Sequence, residues 1–268
     1  MRIFPLVLAL LIGSAAHAQD NPCFTDQIYD QLIQENPEIE RYVQEMDRVL
    51  RHPVIEERGG AYIIPIVFHI IHKGGEENIS KEQIENAVWH LNQDFRGINA
   101  EIPNVNLVFA SIVTDANMEF RLAQKDPQGN CTDGITRHYS SRTFAGDEGV
   151  KEDFPGWDNE RYMNVWVCET LANGSNGYAY LPDVTDWGPW HDGIMIRSVQ
   201  MGSIGTGNSS SRRTLTHEAG HYFGLRHTFL DGCDSDNDGV DDTPPTADQN
   251  FGCPDGQNTC SIDSPDLI

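Results

Sequence analysis

Residues 217–227 read His-Glu-Ala-Gly-His-Tyr-Phe-Gly-Leu-Arg-His. On a helix, His217 and His221 lie one turn apart on the same face, so both imidazoles can reach one metal ion. Glu218 sits beside that point without needing to be a ligand. Its carboxylate is placed to take a proton from a water molecule there. Gly224 can adopt a backbone conformation closed to other residues, which ends the helix and turns the chain. His227 then comes back as a third nitrogen donor. Three neutral imidazoles leave a fourth position open, which separates a catalytic zinc from a closed structural one. A bare His-Glu-x-x-His turns up by chance in on the order of one chain per hundred. Adding Gly224 and His227 at fixed offsets makes chance roughly a thousandfold rarer.

The elements that must position these groups can be read from periodicity. The strongest helix runs from Ser211 to Arg226 and carries the motif. The β-branched run Tyr62–Ile71 reads as a central strand, although Pro65 is unusual inside one. Ser80 caps a helix to about Phe95 with Ile84, Val88, Leu91 and Phe95 on one face, and Gln83 stands where a capping box takes Glu or Gln. Further strands are expected at Met118–Leu122, Tyr162–Cys168 and Gly193–Arg197, with an edge strand at Gly177–Leu181. Phe24–His52 is helix-like and broken at Pro37. From His227 onward no periodicity remains, and residues 228–268 hold ten Asp, three Cys and no Lys or Arg. Strands alternating with helices predict an α/β lobe followed by an irregular lobe that needs staples or ions.

Composition narrows the function. The chain has 268 residues, 41 Asp plus Glu against 18 Lys plus Arg, and a formal net charge of −23. Such a chain repels a phosphate backbone, which excludes nucleic-acid binding, and it does not dock on anionic lipid. Residues 1–18 have a positive Arg2, an apolar stretch Phe4–Ile12 and the small-x-small end Ala16-His17-Ala18, the pattern of a signal peptide. No other apolar run reaches membrane length, so the expectation is an exported chain with no integral membrane segment. In an oxidising compartment the six cysteines (Cys23, Cys131, Cys168, Cys233, Cys253, Cys260) are expected as disulfides rather than metal ligands. His69, His72, His90, His138 and His191 stand apart from the motif and read as core or surface groups.

The extended motif resembles the metzincin zinc peptidases, and its surroundings resemble one branch of them, the pappalysins. The matching text is Asp126-Pro127-x-Gly129, Gly134-Ile135-Thr136-Arg137, Gly177-Tyr178-Ala179-x-Leu181-Pro182, Thr214-Leu215-Thr216-His217-Glu218, His227-Thr228-Phe229, Asp242-Thr243-Pro244 and Gly252-Cys253-Pro254. The likeness covers about residues 60–268. It implies a twisted mixed sheet of five strands, backing helices, an active-site helix and an irregular C-terminal lobe below a cleft. A protein or peptide substrate would lie along the edge strand at Gly177, Tyr178, Ala179 and Tyr180, adding main-chain hydrogen bonds as a new strand. His217, His221 and His227 would bind zinc, and Glu218 would be the general base of an endopeptidase. The family also has a methionine-containing turn and a tyrosine beyond the third histidine. No Met follows Met201 and no Tyr follows Tyr222, so the C-terminal lobe is expected to be incomplete.

The resemblance also implies a Cys233–Cys260 disulfide, leaving Cys253 for a partner beyond the turn; a Cys253–Cys260 pair is the alternative. Cys131 and Cys168 either pair with each other or stay buried and free. Asp234, Asp236 and Asp238, then Asp242, place hard oxygen donors around Gly239 in a way that suits calcium, and pappalysins use calcium near this segment. Pro245 in the twelfth position breaks the EF-hand pattern, and the alternative is a solvated acidic loop. Metzincin zymogens can block zinc with a prosegment cysteine. Residues 19–58 are therefore expected to be a prosegment with Cys23 as blocking ligand, ending at an exposed hinge Glu57–Gly60, and 59–268 the peptidase domain with a truncated subdomain at 228–268. The alternative for Cys23 is a disulfide to Cys131 or Cys168. Two rival functions are an inactive zinc- and calcium-binding module and an adhesion protein; neither needs Glu218.

Overall fold

The computed structural model describes residues 23–51, 59–182, 192–230, 232–233, 238–240, 243–250, 256–261 and 265–266. The expected signal peptide at residues 1–18, residues 52–58, His191, Cys253 and three of the four calcium candidates (Asp234, Asp236, Asp242) lie outside them.

The chain runs α1 (Thr25–Glu35), α2 (Ile39–Arg51), β1 (Tyr62–His72), α3 (Lys81–Phe95), β2 (Met118–Leu122), β3 (Ile135–Tyr139), α4 (Glu148–Asp153), β4 (Met163–Cys168), β5 (Gly177–Ala179), β6 (Ile194–Arg197) and α5 (Thr214–Tyr222). Six strands form one sheet in the order β2-β1-β4-β6-β5, with β3 also paired to β1. Ile66 pairs with Leu122 of β2 and with Met163 of β4, so those two strands flank β1 on opposite edges. β3 pairs with residues 68–72 of β1 while β4 pairs with 66–70, so β3 follows β2 along the same edge. Six strands therefore fill five lateral positions, which reconciles them with the expected five-stranded sheet. Only β5 is antiparallel, to β6 at the end of the sheet.

Pro65 fits the interior of β1 for a geometric reason. The amides of Tyr62 and Phe68 donate toward the β2 and β3 edge. Alternation points position 65 the other way, where pairing with β4 starts only at Ile66. The missing N–H of proline leaves no ladder bond unmade.

Both faces of the sheet are covered, as a parallel sheet requires. Ile66, Phe68, Ile70, Val165, Val167, Ile194 and Ile196 face α3 and α5. The alternate residues Ile71, Trp166, Tyr178 and Met195 pack with Tyr29 and Leu32 of α1, Ile39 and Val43 of α2, and Val150 of α4. Ile84 and Leu91 of α3 are fully buried against the sheet, each stabilising by about 2–3 kcal/mol. The Ser80 hydroxyl accepts from the Gln83 amide as expected. The Gln83 side chain does not return to the cap, however. It reaches across to donate to the carbonyls of Ser198 and Met201, pinning the loop that leads into α5.

Candidate metal centre

α5 is held at its start and turned at its end. Asp94 accepts from the Thr216 hydroxyl at 2.8 Å and from Arg213 at 3.2 Å. Leu215 and Ala219 sink into the core, so the opposite positions His217 and His221 share the outward face. The helix is shorter than expected, Thr214–Tyr222 rather than Ser211–Arg226. Gly224 has φ +95°, a conformation that ends helices and favours glycine. The Leu225 amide then reaches back to the Gly220 carbonyl at 2.9 Å, and His227 returns to the helix.

Three imidazoles converge. The Nε2 atoms of His221 and His217 are 3.1 Å apart, those of His221 and His227 3.2 Å, and those of His227 and His217 3.3 Å. The Nδ1–H of His221 donates to the Leu225 carbonyl at 2.7 Å, and that of His227 donates to the Asp26 carboxylate at 2.6 Å. In a neutral imidazole so engaged, Nε2 carries a bare lone pair. Lone pairs 3.2 Å apart repel unless a cation lies between them. Bonds of 2.0–2.1 Å to a tetrahedral zinc would set nitrogen–nitrogen edges of about 3.3–3.4 Å, so the spacing suits such an ion.

The fourth corner is occupied by Cys23, whose Sγ lies 3.5 Å from His221 Nε2. A zinc–sulfur bond near 2.3 Å predicts a sulfur–nitrogen edge of about 3.6 Å. Cys23, His217, His221 and His227 form the group whose donor atoms all lie within 4.8 Å of one another among the described residues. Burial, then the charge of Glu218, pushes the Cys23 thiol up; a bound cation reverses such a shift. Glu218 is fully buried beside the group, with Oε2 3.7 Å from Cys23 Sγ. Among the described residues its Oε1 has no hydrogen-bond partner, and burial pushes the carboxyl well above its ordinary range. An orphaned buried oxygen beside converging lone pairs is what a site for a cation and a polar reactant leaves behind.

β5 passes directly over Glu218. A Cβ on Gly177 would lie 2.9 Å from Glu218 Oε1 and 3.0 Å from its Cγ, so a side chain here would have to displace Glu218 or the strand. Cys23 bridges to Gly177 in parallel. Next to it, the Thr25 hydroxyl accepts from the Ala179 amide and donates to the Ala179 carbonyl, each at 3.2 Å. The cleft measures about 580 Å³ and is lined by the three histidines, Glu218, Cys23, Asn176, Arg213 and Asn250 among others.

The sequence-predicted residues divide clearly. His217, Glu218, His221, His227 and Cys23 come together, and Gly177, Tyr178 and Ala179 form the edge strand; Tyr180 follows it, buried. Cys233 and Cys260 are joined. The general expectation of disulfides from the compartment holds for Cys233 and Cys260 only among the described cysteines: Cys23, Cys131 and Cys168 are free, which for Cys131 and Cys168 is one of the two alternatives left open. Cys168 is buried in a strand and Cys131 exposed, so neither the Cys131–Cys168 pair nor a Cys23 disulfide forms. Asp238 is buried, and its Oδ1 accepts from the Val240 amide at 3.0 Å. Asp26, Thr25 and Asp94 were not singled out from sequence; their partners lie 201, 154 and 122 residues away, and no local pattern announces them.

A mostly parallel sheet, an active-site helix under its antiparallel edge, and three converging imidazoles beside a buried glutamate define a metzincin-type metallopeptidase lobe. The profile of the pregnancy-associated plasma protein-A peptidase family matches residues 145–264. A promirolysin mutant from Tannerella forsythia superposes with a TM-score of 0.81 at 32% identity, over 92% of this chain and 84% of that one. Mature mirolysin from the same organism, in complex with a cleaved peptide, gives 0.71 at 35% identity over 79% and 82%. An extracellular metalloprotease of Arthroderma gypseum is 26% identical over 208 residues, 75% of this chain and 61% of its own length. The chain thus spans about three fifths of such curated relatives. It belongs to the pregnancy-associated plasma protein-A family of peptidases, the pappalysins. Among the described residues no helix is long and apolar enough to cross a membrane.

Proposed function

We propose that this chain is an extracellular zinc endopeptidase made as a latent zymogen. In this reading residues 1–18 are the signal peptide, 19–58 the prosegment, and 59–268 the peptidase domain with its C-terminal lobe at 228–268. His217, His221 and His227 hold zinc, and Cys23 fills the fourth position until the prosegment leaves. The observation that carries the reading is the triangle of Nε2 atoms at 3.1–3.3 Å beside the buried Glu218 carboxylate, whose Oε1 has no hydrogen-bond partner among the described residues. The names of the fungal relatives and the peptide-bound neighbour support the substrate class and the location.

Zinc, when bound, supplies a Lewis acid that acidifies water and polarises a peptide carbonyl. The chain's residues do the rest. The β5 edge at Gly177–Ala179 offers main-chain donors and acceptors on which an extended peptide pairs, fixing the scissile bond over α5. Glu218, wedged under Gly177, takes the proton of the attacking water and hands it to the leaving amine. Its raised affinity for protons is lowered by an adjacent dication, which brings it toward the working pH. The acidic run Asp234, Asp236, Asp238 and Asp242 binds calcium in this reading, because hard oxygen donors alternate along a segment, residues 228–268, that holds ten Asp and no Lys or Arg.

The deciding variant is Glu218→Ala, assayed for cleavage of a quenched peptide and for zinc content. Hydrolysis should fall by at least about 10²-fold with one zinc per chain retained. Hydrolysis equal to that of the parent would overturn the role of Glu218. A parent that binds zinc but cleaves nothing would favour an inactive metal-binding module.

A further inference from the structure

We propose that Asp26 is a positioning residue for His227, so that the uncleaved chain holds its metal more tightly than the thiol of Cys23 alone would allow. This rests on the metal-centre and latency readings above. The observation is an asymmetry between two histidines. His221 donates its Nδ1–H to the carbonyl of Leu225, four residues on in the same lobe. His227 donates its own to Asp26, 201 residues away, at 2.6 Å. One outer partner is built into the lobe; the other is borrowed from the segment that activation removes.

The borrowed contact is well made. Asp26 stands in the first turn of α1, whose Tyr29 and Leu32 are buried in the cluster beneath the sheet, so the helix fixes where the carboxylate points. The side chain of His227 is 8% exposed and that of Asp26 23%, so water competes weakly for the hydrogen bond. Phe229 stacks on the imidazole with ring centroids 4.8 Å apart and offers no acceptor. A carboxylate on Nδ1–H fixes the tautomer, aims Nε2 at the centre and makes it a better donor. Loss of such a partner typically weakens metal binding 10–100-fold. Cleavage at the hinge thus removes two supports at once, the sulfur from the fourth position and the carboxylate behind the third histidine. The uncleaved form would be the one that loads and keeps the ion.

The test uses the full uncleaved chain, its integrity checked by mass, with Co²⁺ and Zn²⁺ as probes. Affinity is read by competition with a chromophoric chelator. Docking of Cys23 is read from the thiolate-to-cobalt charge-transfer band. Asp26→Ala should raise the dissociation constant about 10–100-fold with the band intact. Asp26→Asn, which keeps shape and an acceptor oxygen, should fall between. A dissociation constant within twofold of the parent would overturn the proposal. So would weakened binding with loss of the band, because Asp26 would then be a tether for α1 rather than a support for His227. A parent chain without metal binding, or without the band, would instead bring down the underlying metal or latency reading, and is recognised before any variant is compared.

Discussion

Replacing Gly177 with alanine tests how closely the edge strand and Glu218, the proposed general base, are fitted. The added Cβ would meet Glu218 at 2.9 Å from Oε1, 3.0 Å from Cγ and 3.1 Å from Cδ. Ordinary contacts of this kind lie near 3.5–4.0 Å, so about half an ångström of displacement is needed. A surface carboxylate would swing aside, but Glu218 is fully buried on α5, and three of its atoms are approached together. Either the carboxylate or the β5 backbone must shift. A misplacement of 1 Å costs about 10²-fold in rate, so half of that should lower kcat about tenfold, equivalent to about 1.4 kcal/mol. The assay is steady-state cleavage of a quenched peptide by the activated enzyme, with zinc content and melting temperature measured on the same sample. The expected result is a tenfold lower kcat with metal retained. A kcat within twofold of the parent would refute the claim that the glycine is required for Glu218 to lie where it does.

Three further outcomes follow from the same geometry. Cys23→Ala in the uncleaved chain should raise peptidase activity above that of the uncleaved parent; activity that never exceeds the parent would sink latency by thiol blocking. Burial first holds His69 neutral, lowering its pKa from 6.5 to about 4. The unfolded chain therefore binds the extra proton between those values, and stability is lost as pH falls from 6.5 toward 4, by up to about 3 kcal/mol. Urea titrations of parent and His69→Gln should show a steeper acid loss in the parent, and parallel curves would contradict this. Excess calcium chelator should lower the melting temperature, and an unchanged curve would count against calcium in the acidic run.

The chemistry was legible in the sequence because a helix turns spacing into geometry. His217 and His221 had to share a face, and Gly224 had to be where the chain turned. β1, α3 and β2 were legible from period and capping for the same local reason. α5 was read too long because apolar residues continue through Phe223 and Leu225, while the positive φ of Gly224 overrides that pattern. β3 was missed as a strand because Ile135–Tyr139 is short and half exposed and gains its partner only when β1 extends beyond β2. Composition speaks for the compartment and not for each cysteine: Cys233 and Cys260 pair, Cys23 lies against the imidazoles and Cys168 is sealed in a strand. Least legible were Asp26 and Thr25, whose roles exist only once α1 has docked on the sheet.

Thr25 answers both main-chain groups of Ala179 with one hydroxyl. An open sheet edge is a template for pairing with other chains, and proteins usually blunt it with charge, proline or a covering element. Here Cys23 and Thr25 of the N-terminal segment are the covering element, so the surface proposed to accept an extended peptide is not left bare in the uncleaved chain. In the proposed zymogen, removing the segment would uncover a sticky edge, and mutual repulsion among molecules whose residues 59–268 hold 31 Asp plus Glu against 13 Lys plus Arg, a formal charge of −18, would be left to keep them from joining edge to edge. In that reading the segment would be a shield against self-association as well as a stopper for the cleft.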